Sequence, residues 1–124
     1  MGPGATLLVD PDNRVLTRLA EVLTAAGYTL RMAGTFEDAA TWLKAERFDF
    51  VVTAHRLITH NGLHLVLRAT TARPEIVAVV TTPIPDPVLD EEAAGFGAVT
   101  VVAPWHHPRD LLSALARSKQ PSMR

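Results

Sequence analysis

The chain contains no cysteine. Disulfides, thiolate nucleophiles and cysteine-based zinc sites are therefore excluded. Lysine is nearly missing too: Lys44 and Lys119 are the only two. Charge of one sign is also lacking, since the formal net charge is -1 with histidine neutral. Nothing electrostatic therefore points to nucleic acid or an anionic membrane as partner of this domain. No apolar run approaches the roughly 20 residues needed to span a bilayer. The start, MGPGATLLVDPD, has no basic segment and only a short apolar core, so no signal peptide is expected and a cytoplasmic location is. No internal repeat or low-complexity block occurs. Gly27, Gly95 and Gly97 read as helix ends and turns and form no phosphate-cradling loop.

What is present is a chain of 124 residues, 48% apolar and 20% charged. That composition fits one globular domain, burying about two-thirds of the surface its unfolded chain would expose. Short apolar runs alternate with helical patterns. Thr6 to Val9 is apolar without polar alternation, as in a strand covered on both faces. Pro11-Asp12-Asn13 supplies turn and N-cap chemistry, and Leu16, Leu19, Val22, Leu23 and Ala26 then recur at helical spacing. Thr29 to Ala33 is a more polar strand, nearer an edge. Thr35-Phe36-Glu37-Asp38 has capping-box form, and Phe36, Ala39, Ala40 and Leu43 share one helical face.

Phe50 to Thr53 is the third strand. Leu63, Val66, Leu67 and Thr70 are expected to line the face of the next helix. Ile76 to Thr81 is the most β-branched run. A polar, proline-rich stretch from Thr82 to Pro87 leads into a helix over Val88 to Ala94. Val99 to Val102 is the fifth strand, and Pro108 is placed to open a last helix through Leu111, Leu112 and Leu115. The expected division is a domain over residues 1–117 and a polar tail, or the start of a linker, over 118–124.

Strand and helix thus alternate five times, which predicts an α/β fold with a parallel sheet and helices on both faces. Right-handed crossovers leave few topologies, and a flavodoxin-like (βα)5 sandwich with strand order 2-1-3-4-5 fits best. The working crevice of such a sheet lies outside the carboxyl ends of its strands, where the order reverses. Asp10-Pro11-Asp12 is then expected to face Ala54-His55. Thr81-Thr82-Pro83 and Ala103-Pro104-Trp105 flank them.

The segments LLVDPDNRVLTRLAEVLTAAGY, FDFVVTAHRLITHNGLHLV, RPEIVAVVTT and AGFGAVTVVAPWHHPRDLLSAL, in that order and spacing, resemble a CheY-like response-regulator receiver domain of two-component signalling. The resemblance spans about residues 5 to 117. It implies a phosphorelay signalling domain that takes a phosphoryl group onto an aspartate at the end of the third strand. A pair of acids after the first strand would help that aspartate hold Mg²⁺. A Ser or Thr after strand four and a Lys after strand five would bind the phosphoryl oxygens. Carried over residue by residue, Asp10 matches the first acid, but Pro11 stands at the second and Ala54 at the phosphoacceptor. Thr82 keeps the hydroxyl, while Ala103, or Val102 in the neighbouring register, stands at the lysine. The family's aromatic switch position falls at or near Thr100.

An alanine methyl is no nucleophile. Mg²⁺ asks for several oxygen ligands, and two of the three carboxylates are missing. The expectation is a degenerate receiver, or pseudo-receiver, with no catalytic residue, no cofactor, and Mg²⁺ binding weak or absent. Its expected role is phosphorylation-independent interaction with proteins of a signalling pathway, as a homodimer or with an output domain of the same chain. Trp105 and Leu111 are candidate interface residues, although Trp105 also suits packing between loop and helix. The alternative is a sensor whose vacated crevice binds a small ligand, anion or metal, with Asp12, His55, Arg56 and His106 as lining. The five histidines, His55, His60, His64, His106 and His107, all fall at the crevice end. They read either as a metal or pH-sensing cluster or as ordinary loop residues. No nucleophile–base pair supports an enzyme.

Overall fold

A computed structural model describes residues 4–119, with side-chain surroundings given for 4–117. Strands β1 (Gly4–Val9), β2 (Tyr28–Ala33), β3 (Phe50–Ala54), β4 (Val77–Thr82) and β5 (Ala98–Val102) alternate with helices α1 (Asn13–Ala25), α2 (Phe36–Ala45), α3 (Gly62–Ala72), α4 (Pro87–Gly95) and α5 (Pro108–Lys119). All pairings are parallel, in the order β2-β1-β3-β4-β5 expected from the sequence. The last helix reaches Lys119, two residues beyond the expected domain end. The rest of the expected tail, 120–124, lies outside the described residues.

Strand alternation distributes the core. Leu7 and Val9 of β1 and Val51 of β3 pack with Phe36, Ala39 and Ala40 of α2 and with Leu65 and Ala69 of α3. Leu8, Phe50, Val52 and Val79 point to the opposite face. They meet Leu16, Leu19 and Leu23 of α1 and Leu111, Ala114 and Leu115 of α5. Ala78 and Val80 of β4, with Ala98 of β5, pack against Leu63 and Val66 of α3 and Leu89 and Ala93 of α4. Tyr28 sets its ring edge-on to Phe50, with centroids 5.3 Å apart. Burying each Leu or Phe side chain contributes about 1.5–3 kcal/mol.

Helix starts follow the expected chemistry. Asp12 accepts the Arg14 N–H, Thr35 the Asp38 N–H and Asn61 the Leu63 N–H. Two expectations fail. Leu67 is 48% exposed, and Leu65 is buried in its place. Because α3 lies over both β3 and β4, its covered arc is wide enough to take Leu63, Leu65, Val66 and Ala69. The fourth helix starts at Pro87 with Asp86 as its cap, so the polar stretch before it is shorter than expected.

The edge strand β2 is guarded. Trp42 donates its indole N–H to the Met32 carbonyl at 3.2 Å, and Arg31 lies over the Trp42 ring and forks onto Glu46. These side chains block an edge that could otherwise pair with another chain.

At the other end of the sheet, Asp49 accepts the Ala5 N–H at 3.1 Å and pairs with Arg73 at 3.2 Å. Arg73 also donates to the Phe48 carbonyl, tying the end of α3 to the entry of β3. Replacing Arg73→Met keeps the stem but removes these partners. Denaturant unfolding is expected to show a loss of about 1–3 kcal/mol.

Candidate functional site

The carboxyl ends of β1, β3 and β4 and the loop after β5 enclose a crevice of about 380 Å³. Asp10 enters it directly after β1. Its backbone N–H donates to the Ala33 carbonyl at 3.1 Å, which anchors the residue against β2. Its Oδ1 accepts the Asp12 N–H at 2.8 Å. Ala54 closes β3 beside it, paired with Thr81 of β4. Thr82 is buried, and its hydroxyl donates to the Ile84 carbonyl at 3.0 Å. Trp105 reaches in from the β5–α5 loop while packing on the core beneath α1 and α5.

Of the residues marked in the sequence, the structure brings Asp10, Asp12, Ala54, His55, Arg56, Thr82 and Trp105 into this crevice. Pro11 is exposed outside it. Ala103 is buried behind it, with φ at 43° and its N–H donating to the Thr82 carbonyl at 2.8 Å. His106 is exposed and does not line the crevice, because the chain turns at Ala103 so that Trp105 takes the inward place. Leu111 is fully buried between α5 and the sheet and is not available to a partner, which corrects its expected interface role. Thr53 is buried on the α3 side, with its hydroxyl donating to the Ala54 carbonyl at 3.1 Å.

Three lining residues were not marked in the sequence: Val15, Ile84 and Asp86. A signal existed for Asp86. Asp-Pro at a helix start is N-cap followed by N1 proline, and Asp86 accepts the Leu89 N–H at 3.0 Å.

The five histidines do not form one group, although His55, His60 and His64 border one shallow hollow. His55 lines the crevice, with Nε2 3.4 Å from the Asn61 side-chain nitrogen. His60 is drawn off toward α2 and stacks on Phe36 with centroids 4.1 Å apart. It also lies 3.7 Å from Glu37. His106 and His107 sit on the β5–α5 loop. Among the described residues, no three His, Asp or Glu side chains come together as a metal set.

The loop from His55 to Asn61 is held by backbone. The His55 N–H donates to the Thr81 carbonyl at 2.9 Å, and the Gly62 N–H donates to the His55 carbonyl at 2.7 Å. Gly62 stands so close to β3 that a Cβ there would lie 2.1 Å from the Ala54 carbonyl oxygen. Gly62→Ala must therefore push α3 off the strand end. An unfolding titration is expected to show about 1–3 kcal/mol of destabilisation.

Burial pushes the Asp10 carboxyl above its ordinary value. The Asp12 N–H opposes that shift, and the Asp12 charge adds to it. Among the described residues Asp10 has no ion-pair partner. A carboxyl whose folded pKa is raised contributes stability that is complete below its unfolded value. That contribution is lost as pH rises through the folded value. Asp10→Asn keeps an acceptor for the Asp12 N–H and removes the charge. It is expected to raise the unfolding free energy at pH 7. The gain should vanish below about pH 3.9, the ordinary aspartate value, as read by parallel denaturant titrations.

No family model matches the chain. It is 35% identical to the DNA-binding transcriptional regulator NtrC of Rhizobium meliloti over 78 residues, 62% of this chain and 16% of that one. The chain spans only 16–24% of the length of the NtrC regulators it matches. The chemotaxis response regulator CheY4 of Vibrio cholerae superposes with a TM-score of 0.81 at 22% identity, over 92% of this chain and 97% of that one. The beryllofluoride-activated NtrC4 receiver domain, solved as a dimer, also gives 0.81 at 22% identity, over 93% and 98% of the two chains. Among the described residues, no helix is long and apolar enough to cross a membrane. In strand order and crevice position this chain has the fold of the CheY-like response-regulator receiver domains, and part of it is similar in sequence to NtrC regulators.

Proposed function

We propose that this receiver domain lacks aspartyl-phosphate chemistry and transmits signals by binding a protein partner, independently of phosphorylation. The observation that carries the reading is the methyl group of Ala54 at the crevice end of β3. Phosphoryl transfer to a side chain needs a nucleophile at that point. The neighbouring changes agree with it. Pro11 brings no second carboxylate, so Asp10 is the only acid left of the three that the resemblance assigns. Asp12 spends a carboxylate oxygen on capping α1. One buried carboxylate and one cap do not match the near-octahedral oxygen set that Mg²⁺ requires, so this donor set does not fit the ion.

The lysine that the resemblance assigns is missing as well. Ala103 offers a methyl group, and Lys44 lies beside Phe48 and Ile76 at the opposite end of the sheet. Transferring phosphoryl oxygens need positive charge to stabilise them. Thr100, at the expected switch position, is not aromatic, and its hydroxyl is held by Asp90 of α4. Both halves of the phosphorylation switch are therefore replaced, and the domain acts as a regulator without enzymatic activity.

The surface supports docking of a protein. Val88 of α4 is 68% exposed and Val99 of β5 is 43% exposed. Val99 lines a shallow groove between β5 and α5 that also carries Thr100, Asp110 and Arg117. The partner is a second copy or a signalling protein, including an output domain in the same chain. The test is incubation with a small-molecule phosphodonor and Mg²⁺, followed by intact mass and by sedimentation over a concentration series. The mass and the association curve are expected to stay unchanged. A stable gain of one phosphoryl group overturns the proposal.

A further inference from the structure

The crevice is built for charge of one sign and for a carbon body. Three carboxylates line it, Asp10, Asp12 and Asp86, against one guanidinium, Arg56, and the imidazole of His55. The decisive group is Asp10. Its side chain is 7% exposed. Oδ1 holds the Asp12 N–H, and Oδ2 has no hydrogen-bond donor among the described residues. That oxygen is not sealed in the interior, so a donor that enters the crevice can reach it. Val15, Ile84 and Trp105 give the crevice apolar walls, and Ile84 is 67% exposed although it faces this space.

We propose that the crevice binds a small organic ammonium compound with an apolar body, its N–H groups on Asp10 and its carbons against Val15, Ile84 and Trp105. An anion is disfavoured because it would sit against a buried carboxylate with only the rim guanidinium in its favour. A bare divalent metal is disfavoured because it needs several oxygens and gives up water reluctantly. An alkylammonium has three donors for Asp10 Oδ2 and its surroundings, and it tolerates apolar walls. A charge-assisted hydrogen bond in a partly desolvated site is stronger than a neutral one. A cation beside Trp105 also gains from the indole ring. The volume, about 380 Å³, lies within the range of small-molecule sites, roughly 300–1,000 Å³. This inference stands apart from the interaction role proposed above, since a protein could dock on α4 and β5 whether or not the crevice is filled.

The probe is 3-methylbutylamine, titrated into the whole protein and followed by chemical shifts and calorimetry. Isoamyl alcohol serves as the uncharged isostere, and inorganic phosphate and magnesium chloride as rival classes. The amine is expected to saturate, with shifts confined to the crevice loops, and to bind at least about tenfold tighter than the alcohol. Asp10→Asn, and separately Asp86→Ser, which keeps a capping side chain, are each expected to weaken the amine. Asp10→Asn should have the larger effect, about tenfold or more. Equal binding of the alcohol, tighter binding of phosphate or magnesium, no saturation by the amine, or undiminished binding by folded Asp10→Asn overturns the proposal.

Discussion

The constraint on which the rest depends is that β1, β3 and β4 are parallel and buried on both faces. Parallel neighbours cannot be joined by a tight turn, so each connection must cross the sheet through a helix. The helices then cover both faces, with α1 and α5 on one and α2, α3 and α4 on the other. Every strand runs the same way, so every loop after a strand emerges at one edge. Asp10, Ala54 and Thr82 come together for that reason, although they are spread over much of the chain. The order reverses between β1 and β3, and the crevice opens there.

Within that frame, the contact between Gly62 and the Ala54 carbonyl sets the finer geometry. It draws the start of α3 onto the end of β3 and leaves the residues between them to form a closed loop. His60 is thereby carried to Phe36, away from the crevice, while His55 stays inside it. The two histidines are five positions apart and face different neighbours. Both still border one shallow hollow together with His64.

Much of the fold was legible because its signals are periodic. Unalternating runs marked β1, β3 and β4, and the polar β2 announced an edge. Asp12 and Thr35 are capping residues that read the same in sequence and structure. What failed depends on tertiary surroundings. Leu67 was exchanged for Leu65 because α3 rests on two strands, and the width of a buried arc is set by its neighbours. Leu111 was read as a possible interface residue, yet it is buried in the same core cluster as Leu8 and Val101. Trp105 lines the crevice that its loop was expected to flank, while His106, the next residue in the turn that begins at the positive-φ Ala103, is exposed and off it.

The crevice itself was half legible. Its backbone address follows from topology, and its missing nucleophile is a single letter, Ala54. Its electrostatic character was not legible. A phosphate-binding site and its derelict form share one place and shape, which invites the expectation that an anion still belongs there. The sign of the site turns on which charges survive. Asp10, Asp12 and Asp86 on its lining outnumber Arg56, so the crevice is acidic. Asp10 makes the difference, because among the described residues its carboxylate has one backbone donor and no ion-pair partner. Any molecule that stabilises this crevice must answer that charge, so ligand selectivity and the pH dependence of stability rest on the same carboxyl group.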